Sequence, residues 1–112
     1  MSSKKHIDIL VIGSGPGGYA AAFRAADLGR KVIIVDKDPD LGGVCLNRGC
    51  IPSKALLHIA KVLEETESLK KMGVSFAKPK IDINSVRDWK NKIINQLSGG
   101  IAQMAKARKV ET

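Results

Sequence analysis

The stretch IDILVIGSGPGG, residues 7–18, decides the fold of this 112-residue chain. Its first half is a short apolar run that is typical of a buried parallel strand. Its second half satisfies G-x-G-x-x-G, and the Ala-rich residues 19–28 favour a helix that stops at Gly29. A second apolar run, residues 31–35, predicts a second strand. This order predicts an α/β, Rossmann-like dinucleotide-binding fold with a parallel sheet.

The glycines of the turn have distinct structural roles. Gly13 lets the chain turn tightly out of the strand, Gly15 lets a pyrophosphate approach the backbone, and Gly18 lets helix and strand pack closely. The anion then lies on the helix N-terminus. Asp36, 23 residues after Gly13, is placed to bind a ribose hydroxyl. A tight turn without a ligand is the alternative. The candidate dinucleotide-binding residues here are Gly13, Ser14, Gly15, Pro16, Gly17, Gly18, Asp36 and Lys37.

A second stretch, GGVCLNRGCIPSK at residues 42–54, holds both cysteines of the chain, Cys45 and Cys50. A disulfide across so short a loop adds only about 2 kcal/mol in the chain-entropy model, which favours a bridge that opens and closes. In a regular helix the two Cα atoms would be about 8.6 Å apart, beyond the roughly 7 Å reach of a disulfide. We therefore predict a tighter turn, at Asn47 and Gly49.

Pro52 fits the first turn of the helix that follows, so Cys50 lies near a helix N-terminus with Lys54 one turn further on. Both features lower the pKa of a thiol, and the spacing predicts a reactive thiol pair in which Cys45 is the more accessible member. Two inert buried thiols are one alternative. Half of a zinc site is another, but His58 is the only nearby nitrogen ligand.

The pattern GG-x-C-x-N-x-GCIPSK resembles the redox-active segment of the pyridine-nucleotide disulfide oxidoreductases, which are flavoenzymes. Within that family, CLNRGCIPSKALLH is most similar to the dihydrolipoamide dehydrogenases, while the mercuric reductases share the PSK ending. The resemblance implies that the first fold binds FAD. The thiol pair favours FAD independently, because a disulfide exchanges electrons readily with a flavin and poorly with nicotinamide alone.

The resemblance also implies the roles of the site residues. Cys45 meets dihydrolipoamide through a mixed disulfide, Cys50 faces the flavin as a thiolate, and Lys54 lies beside the flavin ring. The implied catalytic set is Cys45, Cys50 and Lys54, and the implied FAD contacts of this segment are Gly42, Gly43, Val44, Cys45, Cys50 and Lys54.

Two positions depart from the family's pattern, and two histidines do not match its catalytic base. Asp36 stands where the family usually has Glu, and Arg48 where it commonly has an apolar residue. The family's base is a histidine of the partner subunit's C-terminal domain, so neither His6 nor His58 receives a catalytic role.

Family members are several times longer, which predicts that residues 1–112 are the N-terminal part of an FAD-binding domain. The rest of that domain, a NAD domain and a dimerisation domain would then lie beyond Thr112, where residues 110–112 begin a further strand. The implied full-length enzyme passes electrons to NAD, forms a homodimer, and acts on lipoyl domains of 2-oxo acid dehydrogenase complexes. The fragment alone is expected to be inactive.

The net charge of +8 raises the possibility of nucleic-acid binding, but one Trp, one Tyr and two Phe leave few rings to stack on bases. No apolar run has the length of a membrane span. The polar residues 1–6 precede no signal-peptide core, so we expect a cytoplasmic protein. Three alternatives to a dihydrolipoamide dehydrogenase stay open at this point: a mercuric- or glutathione-type reductase, a short non-enzymatic flavin-binding or assembly module, and a distant nucleic-acid binder.

The C-terminal half of the sequence predicts a loop at residues 72–80 and then a long helix capped by Asp82 or Asn84. We expect one apolar face on that helix and Trp89 in the core. Gly99 and Gly100 interrupt the helix, which indicates close packing against another backbone. The predicted face consists of Val86, Trp89, Ile93, Leu97, Ile101 and Met104.

Overall fold

A computed structural model describes residues 3–112, so the first two residues of the predicted polar N-terminal stretch lie outside the described part. Two strands, four α-helices and one 3₁₀ turn follow one another in this part of the chain. In chain order they are β1 (Ile9–Ile12), α1 (Pro16–Asp27), β2 (Val32–Val35), α2 (Gly43–Arg48), α3 (Cys50–Ser68), a 3₁₀ turn (Leu69–Met72) and α4 (Ile83–Ala107).

The strand–helix–strand unit predicted from the first stretch is confirmed. Strands β1 and β2 pair in parallel, with Ile9 opposite Val32 and Ile12 opposite Val35. Helix α1 begins at Pro16, three residues earlier than predicted, because proline suits the first helical position. The predicted stop is at Gly29, whose φ of +83° is a left-handed value that glycine adopts without strain. The chain thus has a Rossmann-like α/β fold.

A third strand begins where the sequence indicated. Glu111 forms a parallel bridge with Ile33, and its carbonyl oxygen accepts a hydrogen bond of 2.8 Å from the backbone N–H of Ile34. Strand β2 therefore has a partner on each side. Strand β1 has a partner only on one side among residues 3–112.

The expectation that residues 7–12 form a buried strand is wrong for this chain. The strand covers only residues 9–12, and Leu10 and Ile12 are 52% and 83% exposed. Helix α1 covers one face of the two strands, but no second layer of the described residues covers the other. Strand β2 follows the same division, since Val32 and Ile34 are 3% and 1% exposed while Val35, opposite Ile12, is 42% exposed.

Helices α3 and α4 form a long arm that gives the molecule extents of 72 × 28 × 19 Å. The predicted loop between them is confirmed, and Asp82 begins α4. Its Oδ1 accepts hydrogen bonds from the backbone N–H groups of Asn84 and Ser85, at 3.0 and 3.3 Å. None of the helices in residues 3–112 combines the length and apolar character needed to cross a membrane.

The predicted apolar face of α4 is wrong at three of its six positions. Trp89, Leu97 and Met104 are 41%, 42% and 45% exposed, so Trp89 is not a core residue of this chain. The buried stripe is instead Ser98, Ile101 and Ala105. Only the C-terminal half of α4 reaches the core, where small side chains let it approach the loop after β2.

The prediction of close packing at Gly99 and Gly100 is also wrong in this chain. Helix α4 runs through both glycines without interruption. A Cβ atom added at either position would meet nothing within 4 Å.

The core lies between the sheet, α1, α2 and the end of α4. At its margin the Arg108 guanidinium lies 5.2 Å from the centroid of the Phe23 ring and bonds to Asp27 at 3.0 Å. The buried apolar residues are Ala22, Phe23, Val32, Ile34, Leu41, Leu46, Ile101, Ala105 and Val110.

Candidate functional site

The glycine turn has the geometry that the sequence predicts. Gly13 has a φ of +99°, and its N–H donates a 2.8 Å hydrogen bond to the carbonyl oxygen of Val35 at the end of β2. At Gly18, a Cβ atom would lie 2.0 Å from the carbonyl oxygen of Gly13 and 3.4 Å from a Val11 methyl. The tight turn at Gly13 and the close helix–strand packing at Gly18 are therefore confirmed.

The start of α1 suits an anionic ligand. The backbone N–H groups of Gly17 and Gly18 belong to the first helical turn, where an α-helix offers no acceptor of its own. A Cβ atom at Gly15 or Gly17 would meet no protein atom within 4 Å, so this end of the helix is open. Together with the helix dipole, these donors fit a pyrophosphate. The residues present thus fit the dinucleotide predicted from the sequence.

The Asp36 carboxylate is bound to the glycine turn itself. Its Oδ2 accepts hydrogen bonds from the backbone N–H and the hydroxyl of Ser14, at 2.7 and 2.6 Å. Its Oδ1 accepts one of 2.9 Å from the N–H of Asp38. The bond from Asp38 and then those from Ser14 lower the pKa of Asp36 to about 2. An anionic Asp36 therefore holds the turn in place, a role that the sequence did not reveal.

Beside Asp36 lies an open cleft of about 260 Å³, at the carboxyl end of β2. This is the edge of a parallel sheet where such folds bind ligands. Lys37 follows with an exposed side chain. The ribose contact of Asp36 stays a prediction. The other residues that line the cleft are Ile34, Asp38, Pro39, Leu41 and Thr112.

The thiol-bearing segment touches the glycine turn directly. The N–H of Gly42 donates a 2.9 Å hydrogen bond to the carbonyl oxygen of Ser14. A Cβ atom at Gly43, where φ is +67°, would lie 2.6 Å from the Cα of Gly15. Only glycine permits this contact, so the two predicted site segments form one unit. Val44 follows on α2 and is 62% exposed.

The two cysteines lie on different helices, as the distance argument required. Cys45 is in α2, and Cys50 is the first residue of α3. The break falls at Gly49, with φ −128° and ψ −109°. Asn47, which was also expected in the turn, is helical. Its side-chain amide instead donates to the Gly43 carbonyl at 3.0 Å, which makes it an anchor of α2 that the sequence did not identify.

Both thiols are unpaired in the structure. Cys50 is exposed and Cys45 is half-buried in this chain. The expectation that Cys45 is the more accessible thiol of the reduced full-length enzyme, in which Cys50 faces the flavin, stays a prediction. Gly49, between the two helices, packs against the backbone of Cys45, since an added Cβ atom would lie 3.3 Å from the Cα of Cys45. Pro52 is in the first turn of α3 as predicted, and Lys54 follows with an exposed side chain.

The two thiols interact electrostatically. A hydrogen bond with the Cys50 thiol, burial, and the charge of Cys50 all raise the pKa of Cys45, while the Lys54 ammonium acts in the opposite direction. The protonated form of Cys45 is therefore favoured beside Cys50. Among residues 3–112 there is no group of three or more His, Cys, Asp or Glu side chains that fits a metal ion.

Comparison with known proteins agrees with this geometry. The family model described as pyridine nucleotide-disulphide oxidoreductase matches residues 7–112. A relative named dihydrolipoyl dehydrogenase from Vibrio cholerae is 58% identical over 98% of this chain and 23% of its own length. The relative of the same name from Haemophilus influenzae is 54% identical over 98% of this chain and 23% of its own length. The one from Bacillus subtilis is 49% identical over 93% of this chain and 22% of its own length.

The chain thus spans less than a quarter of the length of the curated relatives it matches. The match itself covers nearly all of the chain, including the glycine turn and the thiol pair. The chain belongs to the pyridine nucleotide-disulphide oxidoreductase family.

Proposed function

We propose that the full-length protein is a dihydrolipoyl dehydrogenase, which oxidises dihydrolipoamide through the Cys45–Cys50 pair and FAD and reduces NAD. The observation that carries this proposal is the contact of the thiol segment with the dinucleotide turn, seen at Gly43 and Gly15. A redox pair and a dinucleotide site that share a backbone contact are suited to exchange electrons. The name of the relatives supports the dithiol as the substrate.

The chain's own residues divide the binding of FAD among them. Gly15, Gly17 and Gly18 supply the open helix N-terminus for the pyrophosphate, and Asp36 anchors the turn through Ser14. Bound FAD supplies a group that accepts an electron pair from a thiolate and passes it to a nicotinamide. Lys54, one turn beyond Cys50, places a positive charge on the same side of α3. The further FAD contacts proposed are Gly13, Pro16, Lys37, Gly42 and Val44.

In the proposed reaction the pair begins as a disulfide. A substrate thiolate attacks the Sγ of Cys45, which forms a mixed disulfide and releases Cys50 as a thiolate. The second substrate thiol then loses its proton and attacks the substrate sulfur that is bonded to Cys45. This step forms the product disulfide and releases Cys45. The hydrogen bond with the Cys50 thiol, burial and the charge of Cys50 raise the pKa of Cys45, which favours protonation of Cys45 once it is released.

We also propose a cytoplasmic homodimer that serves the lipoyl domains of 2-oxo acid dehydrogenase complexes. The support is the resemblance of the thiol segment and the name of the relatives. The catalytic base would come from the partner subunit. His6 and His58 are both exposed and lie outside the thiol segment, which agrees with giving them no role.

The test is a pair of serine variants of the full-length protein. Cys45→Ser should retain a long-wavelength absorbance from the Cys50 thiolate beside the flavin, yet lose dithiol oxidation. Cys50→Ser should lose both the absorbance and the oxidation. Opposite behaviour would reverse the two roles. Full activity in both variants, or a full-length protein that takes up no FAD, would refute the proposed function.

A further inference from the structure

An ion pair joins the end of α2 to the loop after β2. Nη2 of Arg48, the last residue of α2, donates to Oδ2 of Asp38 at 2.9 Å. The Asp38 side chain is 24% exposed and that of Arg48 is 54% exposed. The hydrogen bond and the charge of Asp38 raise the pKa of Arg48, so the contact favours the charged guanidinium.

The same loop is bonded to the dinucleotide turn. The N–H of Asp38 donates to Asp36, and Asp36 in turn accepts two hydrogen bonds from Ser14. A continuous set of hydrogen bonds therefore runs from the glycine turn through Asp36 and Asp38 to Arg48. The Ser14–Asp36 bonds and the Arg48–Asp38 pair each join two separate segments, while the Asp38–Asp36 bond holds the loop between them.

Arg48 is the last residue of α2 and lies two residues before Cys50, so holding its side chain in place restricts the orientation of the two thiols. Gly49 follows it with a break between α2 and α3, and Cys50 comes next. The direction in which the chain leaves α2 decides how far Cys50 lies from Cys45 and how closely Gly49 packs against Cys45. An anchor on the last residue of α2 acts directly on that direction.

We propose that Arg48 and Asp38 are positioning residues whose ion pair holds the end of α2 against the loop of the dinucleotide site and so fixes the relative placement of Cys45 and Cys50. Neither side chain needs to touch the substrate. The redox consequence of this placement rests on the proposed function, but the placement does not. The competing explanation is a surface ion pair with no measurable effect, the common case for exposed charges.

The experiment compares thiol reactivity in the reduced full-length protein. Iodoacetamide alkylation of Cys45 and of Cys50 is followed by mass spectrometry in the parent, Arg48→Met and Asp38→Ala. Loosening the end of α2 should uncover Cys45. We expect its rate relative to Cys50 to rise about threefold to fivefold in both variants, the size that a partly exposed ion pair permits. The doubly exchanged variant, Arg48→Asp with Asp38→Arg, should return the ratio toward the parent value.

The chain offers a matched control in Arg108, which pairs with Asp27 at 3.0 Å and joins α4 to α1 away from the thiols. Arg108→Met should leave the ratio unchanged. A parent-like ratio in both Arg48→Met and Asp38→Ala would overturn the proposal. So would an equal change in Arg108→Met, or a doubly exchanged variant that stays at the single-variant ratio.

The long-wavelength absorbance of the thiolate beside the flavin extends the test to the redox role. If the proposed function holds, Arg48→Met should also weaken the long-wavelength thiolate absorbance while Arg108→Met leaves it intact. The alkylation ratio needs no flavin chemistry. A parent protein without flavin or dithiol oxidation would therefore refute the proposed function, while the ratio still decides whether Arg48 positions the thiols.

Discussion

Adding a single methyl group at Gly18 forces two backbone segments apart. In Gly18→Ala the new Cβ would lie 2.0 Å from the Gly13 carbonyl oxygen and 3.0 Å from its carbonyl carbon, where ordinary contact starts at 3.4 Å. The obstacle is backbone and cannot rotate away. Overpacking costs about 1–3 kcal/mol, and we expect the upper end. Alanine returns about 1 kcal/mol through helix propensity, so the net loss of stability is about 2 kcal/mol.

The neighbouring residue provides the control. Gly17→Ala adds the same methyl group in the same helical turn, but its Cβ meets nothing within 4 Å. With flavin removed from the proteins compared, so that altered flavin binding does not affect the melting temperature, it should keep the gain in helix propensity and melt no lower than the parent. Thermal unfolding of the full-length protein measures both, and Gly18→Ala should melt roughly 4–8 °C lower, from about 2–4 °C per kcal/mol. Equal melting temperatures for the two variants would refute the packing argument.

Three other outcomes follow from the site. Replacing Gly15 with Leu should lower the flavin content of the purified full-length protein, because a Cβ atom at this position enters open space that the pyrophosphate would occupy. Unchanged flavin content would contradict the pyrophosphate position. Asp36 contributes stability that is complete above its ordinary pKa of 3.8 and is lost as the pH falls through about 2. In Asp36→Asn, the free energy of unfolding should therefore depend less on pH between these values. An identical pH dependence in variant and parent would contradict the role of the Ser14 bonds. Isolated residues 1–112 should bind FAD poorly and associate, because Leu10 and Ile12 expose an apolar surface on the edge strand β1. Sedimentation and flavin absorbance measure both properties. A monomeric fragment that binds FAD tightly would show that it is self-sufficient.

The fold was predictable from sequence where one local pattern decides it. The apolar runs, the glycine turn, the stop at Gly29 and the cap at Asp82 each depend on residues close together in the chain. The burial of β1 and the packing face of α4 were not predictable in the same way. Both depend on which other segments cover an apolar surface, and periodicity alone cannot say whether the covering segment belongs to the 112 residues in hand.

The candidate site shows the same division between chemistry and contacts. Cys45, Cys50 and Lys54 were identified by residue type, spacing and resemblance, and the structure places Cys45 in α2 and the other two in the first turns of α3. The bond between Ser14 and Asp36 was missed, because a carboxylate at that position reads equally well as a ligand for ribose. The pair of Arg48 and Asp38 left only one signal in the sequence, a charged residue where the family commonly has an apolar one.

The contact of Gly43 with Gly15 explains why the two site segments depend on each other. Their backbones approach so closely that a Cβ on Gly43 would lie 2.6 Å from the Cα of Gly15. A shift of the glycine turn, such as the one expected in Gly18→Ala, therefore moves the start of α2 and with it Cys45. Conversely, Gly42 is hydrogen-bonded to Ser14, which is itself bound by Asp36. A displacement of the thiol segment should therefore also displace Ser14 in the glycine turn. Dinucleotide binding and thiol geometry are thus expected to change together in variants at any of these glycines. Variants at Lys54 lie outside this backbone contact and should leave the geometry of the glycine turn unchanged.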